Sequence, residues 1–152
     1  MVDFEATIIG AGVVGLSIAR ELSKDGKRVL VIEKNKTFGE ENSTRNSGVI
    51  HSGIYYNEKT LKDKLCAKGC TSLYTYAQER KISFLKCGKL IVACDSNEKK
   101  YLIKIKENAE RNNVKVDLLS KKKIKLLEPN LNVENALFSE NSGIIDVHGL
   151  MI

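Results

Sequence analysis

The segment Gly10-Ala11-Gly12-Val13-Val14-Gly15 constrains the fold more than any other part of this chain. It follows a short apolar run, Ala6-Thr7-Ile8-Ile9, that reads as a strand. It opens a stretch in which Val14, Ile18 and Leu22 recur at helical spacing through about Lys24. Asp25-Gly26 stops that helix. Arg28-Val29-Leu30-Val31-Ile32 reads as a second, almost wholly apolar strand ending on Glu33. Strands without polar alternation belong in parallel sheets covered on both faces. Strand, helix and strand at this length make a βαβ unit, so the expected fold class is α/β.

Each part of this fingerprint has a physical task. Gly10 allows the tight turn, Gly12 lets a pyrophosphate approach the backbone, and Gly15 lets the helix pack close to the strand. The helix N-terminus attracts phosphate through unpaired amides and its dipole. Glu33 is placed to accept hydrogen bonds from the ribose hydroxyls of an adenosine, and would repel a 2′-phosphate, which disfavours NADP. NAD and FAD remain open, since both carry the same ADP half. The bland alternative is a glycine-rich turn that binds nothing.

A long polar loop, Lys34 to Tyr56, follows the acid. It is rich in amide and hydroxyl groups and holds Gly48 and Gly53. A plain NAD domain does not need such a loop. An extended FAD could take backbone N–H groups from it, with Tyr55-Tyr56 toward the flavin end.

A second helix is expected with Leu61, Leu65, Gly69, Leu73 and Ala77 along its inward stripe. Leu90 to Ala93 reads as a strand. Asp95 and Glu98 have capping-box spacing and open a helix with Leu102, Ile105 and Ala109 inward. Val114 to Leu119 reads as a strand and Ser120 to Leu127 as a short basic helix stopped by Pro129. Ala136–Ser139 and Gly143–Asp146 flank Glu140-Asn141-Ser142 as a predicted hairpin. The chain stops on Gly149-Leu150-Met151-Ile152, which reads as the opening of a further element of something longer.

Composition removes other classes. The net charge of +6 is spread along 152 residues. Its one dense run, Lys121 to Lys125, has no interleaved aromatics, so it reads as a solvated helix face and nucleic acid is not an expected partner. The apolar run at Ala6 leaves no room for a cleavable leader, and no run is long enough to span a bilayer. The four cysteines contain no CxxC pair, which points to reduced thiols and a cytoplasmic setting. Cys66 and Cys70 lie one helical turn apart without a third ligand nearby, so helix packing is expected and no metal.

IIGAGVVGLSIARELSKDGKRVLVIEK, STRNSGVIHSGIYY, LKDKLCAKGC, CGKLIVA, LLEPNL and SGIIDVHGLM, in this order, resemble the FAD-dependent oxidoreductases of the D-amino-acid-oxidase-like superfamily, and within it the L-2-hydroxyglutarate dehydrogenase branch. The resemblance implies a bilobed flavoprotein: a Rossmann-like FAD lobe and a mixed, mostly antiparallel sheet over the flavin, here incomplete. On that basis residues 1–80 belong to the FAD-binding domain, 81–146 to the substrate or cap domain, and 147–152 to the start of a truncated element. The resemblance implies FAD as cofactor and oxidation of a small 2-hydroxy acid to the 2-keto acid by hydride transfer to flavin. A quinone or other respiratory acceptor, often at the membrane face, would take the electrons. Carried over to FAD are Gly10, Gly12, Gly15, Glu33, Thr44, Arg45, Asn46, Ser47 and Gly48. His51 is the candidate catalytic residue on the substrate side, its alternative being a structural histidine holding the loop. Tyr55 is a weaker candidate on the same side, with packing in a core the favoured reading, and His148 is expected to be structural. Members run well over twice this length, so a complementing C-terminal half is an expected partner. The other readings are a stand-alone NAD module and a non-catalytic remnant.

Overall fold

The fold was described from a computed structural model, for residues 3–56 and 60–152. Two compact units divide it, residues 1–48 with 145–152 and residues 49–144. The secondary structure is mixed α/β, with one parallel pair and two antiparallel-type sheets, as the sequence implied.

The first unit is built on β1 (Ala6–Ile9), α1 (Val13–Lys24) and β2 (Val29–Ile32). β1 and β2 pair in parallel from Ala6 opposite Val29 to Ile9 opposite Ile32. The helix ends in a Schellman-type turn. Gly26, at φ +79°, donates to the Ser23 carbonyl and Lys27 donates to Leu22. One expectation fails here: Val14 and Ile18 were expected to face the sheet, but Val14 is 69% exposed, Ile18 is exposed too, and the buried residue of α1 is Ala19. The apolar faces of the βαβ unit are only partly covered, with Ile9 89% exposed and Ile32 also open. A 12-residue helix has two apolar stripes here, and the small one, with Gly15 and Ala19, lets the backbones approach.

The second unit holds β3 (Val49–Ile50), α2 (Leu61–Glu79), β4 (Phe84–Leu85), β5 (Lys89–Ala93), α3 (Ser96–Arg111), β6 (Asp117–Ser120), α4 (Lys121–Leu127) and β7 (Asn135–Ser139), with β8 (Gly143–Ile145) crossing its boundary. One sheet runs β5-β7-β6, with β7 antiparallel to both neighbours. Another runs β3-β8-β4. The predicted hairpin is therefore wrong. β7 and β8 flank a turn but enter different sheets, because β5 and β6 already take both edges of β7.

β7 alternates between two cores. Leu137 joins Ile54, Ala93, Leu102, Ile105 and Ala109 on the α3 side, while Ala136 joins Leu119, Ile124 and Val133 on the α4 side. The capping box of α3 forms: Asp95 accepts from the amides of Asn97 and Glu98, and Glu98 reaches back to the Cys94 amide at 2.6 Å. In α4 only Ile124 is buried, and the lysines form the solvated face expected of them. The strand expected from Val114 begins later, at Asp117. The inward stripe of α2 holds at its C-terminal end, where Ala77 is buried, and fails at its start. Leu61 and Leu65 are exposed, whereas Cys70 and Ala77 are buried. Cysteine behaves as a small buried hydrophobe, and here it outranks leucine.

Candidate functional site

In the first unit, the turn from β1 into α1 borders a cleft of about 390 Å³ lined by Gly10, Gly12, Ile9, Ile32, Glu33 and Ser43. Gly10 adopts φ +102° and donates to the Ile32 carbonyl at 2.7 Å, which ties the turn to the neighbouring strand. A Cβ on Gly15 would lie 2.1 Å from the Gly10 carbonyl oxygen, so only glycine permits this approach of helix to strand. A Cβ on Gly12 would meet Ser43 Oγ at 3.0 Å and fill part of the cleft.

α1 has no capping side chain of its own, since its N-cap is Gly12, and its first turn holds no acid. Ser43 Oγ accepts from the Val13 amide at 3.0 Å instead. Ser43 opens the hydroxyl-rich stretch of the loop, yet sequence reasoning gave it no role. The positive end of the helix thus faces the cleft with no anionic side chain in its first turn to compete for it.

Glu33 sits at the end of β2, as its spacing required. Its Oε2 accepts from the Ala11 amide at 2.8 Å and its Oε1 from the Asn35 amide at 2.9 Å. The Asn35 amide first, and the Ala11 amide next, hold its carboxyl below the ordinary 4.5. Glu33 is therefore an anion at neutral pH, and each oxygen keeps a further lone pair. It also braces the fingerprint turn, a second role that spacing did not disclose.

The loop residues carried over for FAD fall into two groups. Thr44 Oγ1 donates to the Gly39 carbonyl at 2.7 Å. Asn46 donates to the carbonyls of Asn42 and Ser43 and accepts from the Gly48 amide at 2.8 Å. Gly48 stands at φ +63°, and a Cβ there would lie 2.8 Å from the Ile145 carbonyl oxygen. These three brace the loop on itself. Arg45 and Ser47 are exposed, and Arg45 contributes to the field that lowers the Glu41 carboxyl after its hydrogen bonds to Lys34 and Asn35. His148 stacks on Phe38 with centroids 5.2 Å apart.

His51 lies in the second unit. Its carbonyl accepts from the Cys66 thiol at 3.3 Å, and its side chain is exposed. Partial desolvation of the ring, with the Lys89 ammonium second, pushes its pKa below the ordinary 6.5. The imidazole is neutral at pH 7. Tyr55 does not pack in a core as expected: it is exposed and carries the Lys89 ammonium over its ring at 4.4 Å. Cys66 and Cys70 point their thiols at two separate carbonyls, those of His51 and Asn141. Burial pushes both thiols up, so neither is an activated nucleophile. Among the described residues no three His, Cys, Asp or Glu side chains converge as a metal site. No helix among them is long and apolar enough to cross a membrane.

A family model for the FAD dependent oxidoreductases matches residues 5–152. The chain belongs to this family. It is 42% identical over 149 residues to the mitochondrial L-2-hydroxyglutarate dehydrogenase of Arabidopsis thaliana, covering 97% of this chain and 31% of that protein. It is 41% identical over 145 residues to the glycerol 3-phosphate dehydrogenase of Caloramator mitchellensis, covering 93% of this chain and 30% of that one. Among solved structures, FAD-bound L-alpha-glycerophosphate oxidase from Mycoplasma pneumoniae matches with a TM-score of 0.92 and 31% identity, over 99% of this chain and 41% of that one. The chain thus spans about a third of the length of the curated relatives it matches. The family cofactor is FAD, and the cleft fits its ADP end in chemistry: a helix N-terminus with no acid in its own first turn, a glycine where a side chain would intrude, and an ionised carboxylate at the strand end.

Proposed function

We propose that this chain is the flavin-binding portion of a dehydrogenase that oxidises a small 2-hydroxy acid of the L-2-hydroxyglutarate type to the 2-keto acid. The observation that carries the reading is the joint presence of the Gly10–Gly15 turn, the ionised Glu33 and an identity of 42% to an L-2-hydroxyglutarate dehydrogenase. Residues 1–80 contribute to the FAD-binding domain, 81–146 to the cap, and 147–152 begin a further element. Gly10, Gly12 and Gly15 admit the pyrophosphate to the helix N-terminus, and Glu33 accepts from the ribose hydroxyls. Thr44, Arg45, Asn46, Ser47 and Gly48 form the polar loop along the rest of the cofactor.

When bound, FAD supplies the acceptor for the hydride lost from the hydroxyl-bearing carbon. His51, neutral at pH 7, takes the hydroxyl proton as general base. The onward electron acceptor is a quinone or similar respiratory carrier, reached from the cytoplasmic side through peripheral membrane contact. A complementing segment equivalent to the remaining length of the relatives supplies the rest of the substrate pocket.

The first test is titration of the purified chain with FAD and with NAD, followed by protein fluorescence and flavin fluorescence. Selective uptake of FAD supports the reading, and selective uptake of NAD overturns it. The second test is turnover of the chain co-expressed with the complementing segment of a relative, with a quinone analogue as acceptor. A His51→Gln variant in that assay is expected to lose at least about a hundredfold in kcat. Full turnover by the variant would remove His51 from the chemistry.

A second reading, oxidation of glycerol 3-phosphate, draws on the 41% identity to the Caloramator protein and the TM-score of 0.92 to the glycerophosphate oxidase. A side-by-side assay of L-2-hydroxyglutarate and glycerol 3-phosphate separates the two.

A further inference from the structure

The residue after His51 is held by an unusual buried cluster. Ser52, Ser139 and Ser142 are 3%, 0% and 2% exposed. Their hydroxyls close a triangle, with Ser52 to Ser139 at 2.8 Å and Ser142 at 3.2 Å from each of the other two. Three buried hydroxyls bonded to one another contribute little net stability, because apolar groups of the same shape would pack as well. What such a ring supplies is direction: it fixes one arrangement of the chains that carry it.

The clamp continues on both sides. The His51 carbonyl takes the Cys66 thiol. Asn112 donates to the Gly53 carbonyl at 3.4 Å, and Asn108 donates to that of Ile54 at 3.1 Å. Both amides also reach the Tyr56 carbonyl at 2.9 Å. Gly53 stands at φ +95° and Ile54 is 2% exposed. Residues 51–56 are thus pinned by groups from α2, α3 and the β7–β8 turn. Against this fixed backbone, no hydrogen bond to the His51 imidazole is found among the described residues. A loop held at almost every carbonyl, with one ring left unbonded, is how a side chain is presented to something else.

We propose that Ser52, Ser139, Ser142 and Cys66 are positioning residues that fix the His51 backbone and present its free imidazole to substrate. The proposal rests on the reading of His51 as the acid–base group. The charged group acting on the ring is the Lys89 ammonium from β5, which also lies over the Tyr55 ring at 4.4 Å, while the Cys66 thiol from α2 is held at the His51 carbonyl.

The test is ¹H–¹³C NMR of the full chain with labelled histidine, where His148 serves as the internal control for His51. Ser139→Ala and Cys66→Ala are each expected to broaden the His51 signal. Each should also move its titration midpoint toward the ordinary 6.5 by about 0.3 pH unit or more, roughly twofold in the protonation constant. His148 should stay where it is. Variants that lower the melting temperature and leave His51 unmoved would mean the cluster is only structural, and the proposal falls. Should Ser139→Ala fail to fold, Cys66→Ala decides alone, since Cys66 is only half-buried. Full turnover in His51→Gln, by contrast, sinks the acid–base reading while the NMR result still reports on the clamp.

Discussion

The two units reach order by different means. The second buries Leu102, Ile105, Ala109, Ile124, Ala136 and Leu137 almost completely, around a three-stranded sheet whose central strand has both edges paired. In the first, only Ala11, Ala19 and Met151 are buried hydrophobics among the described residues, while Ile9, Val14, Ile18 and Ile32 stand open. Its order comes from backbone meeting backbone: the Gly15 approach to Gly10, the Glu33 carboxylate bridging two amides, and the Ser43 cap on α1. One unit is held by side-chain volume, the other by the absence of side chains at the right places. A cofactor site needs the second kind, because exposed amides are useful only where nothing fills the space before the ligand does.

Matched truncations would break or sharpen this contrast. The largest effect is expected for Leu137→Ala, where a side chain that is 0% exposed leaves a cavity. Denaturant unfolding should show a loss of about 2–5 kcal/mol in the second unit. Ile9→Ala, at 89% exposure, should change stability by less than about 0.5 kcal/mol. Equal losses from both would erase the distinction.

Next comes Gly15→Ala. One added carbon, 2.1 Å from the Gly10 oxygen, must push helix from strand. FAD affinity measured by flavin fluorescence should fall about tenfold or more, worth about 1.4 kcal/mol, while the second unit's unfolding transition stays in place. An unchanged affinity would count against the turn as the phosphate cradle. Ser43→Ala removes the cap on α1 and should cost about 1 kcal/mol in the first unit alone.

A pH series addresses Glu33. Its folded pKa is depressed, so the stability it adds is present above the ordinary 4.5 and lost as pH falls through the folded value. Melting curves at pH 7 and pH 4 should converge for wild type and Glu33→Gln as acid is added, with the gap between them widest at neutral pH. Parallel curves at both pH values would show that the two amide bonds contribute nothing. The smallest effect is in Tyr74, whose phenol donates to the Asn141 carbonyl and is pushed up to about 12 by burial. In an alkaline ultraviolet titration one tyrosine should ionise late, and Tyr74→Phe should abolish that late step.

How much of this was legible follows the same division. The βαβ order, the helix stop at Gly26 and the capping box at Asp95 are local, and each was readable from spacing. The parallel pair was readable too, because the glycines and Glu33 act at fixed intervals along the chain, whereas the flavin family was readable only through the resemblance carried by STRNSGVIHSGIYY and the blocks that follow it. Burial was harder. Val14 and Ile18 are apolar at helical spacing, but periodicity identifies a stripe without identifying its partner. In α2 the spacing placed Ala77 correctly but could not show that Leu61 and Leu65 at the helix start stay open. The β7–β8 hairpin failed because a turn sequence cannot reveal that a strand's edges are already taken. The Ser52, Ser139 and Ser142 triangle was invisible, since Ser52 is far in sequence from the other two and serine is ordinarily a surface residue.

The first unit is discontinuous. Gly48 pairs with Ile145, and Gly39 packs on Met151, so its two parts are separated by all of residues 49–144. For a chain emerging from the ribosome this sets an order of events. The fingerprint turn appears first but must wait roughly 5–20 s, at ordinary elongation rates, for the residues that close its unit. During that interval the second unit can finish folding, and the early βαβ segment waits beside it with its apolar faces open. A nascent chain of this design is an obvious client for a chaperone that shields apolar strands, and one whose yield should respond to the speed of translation.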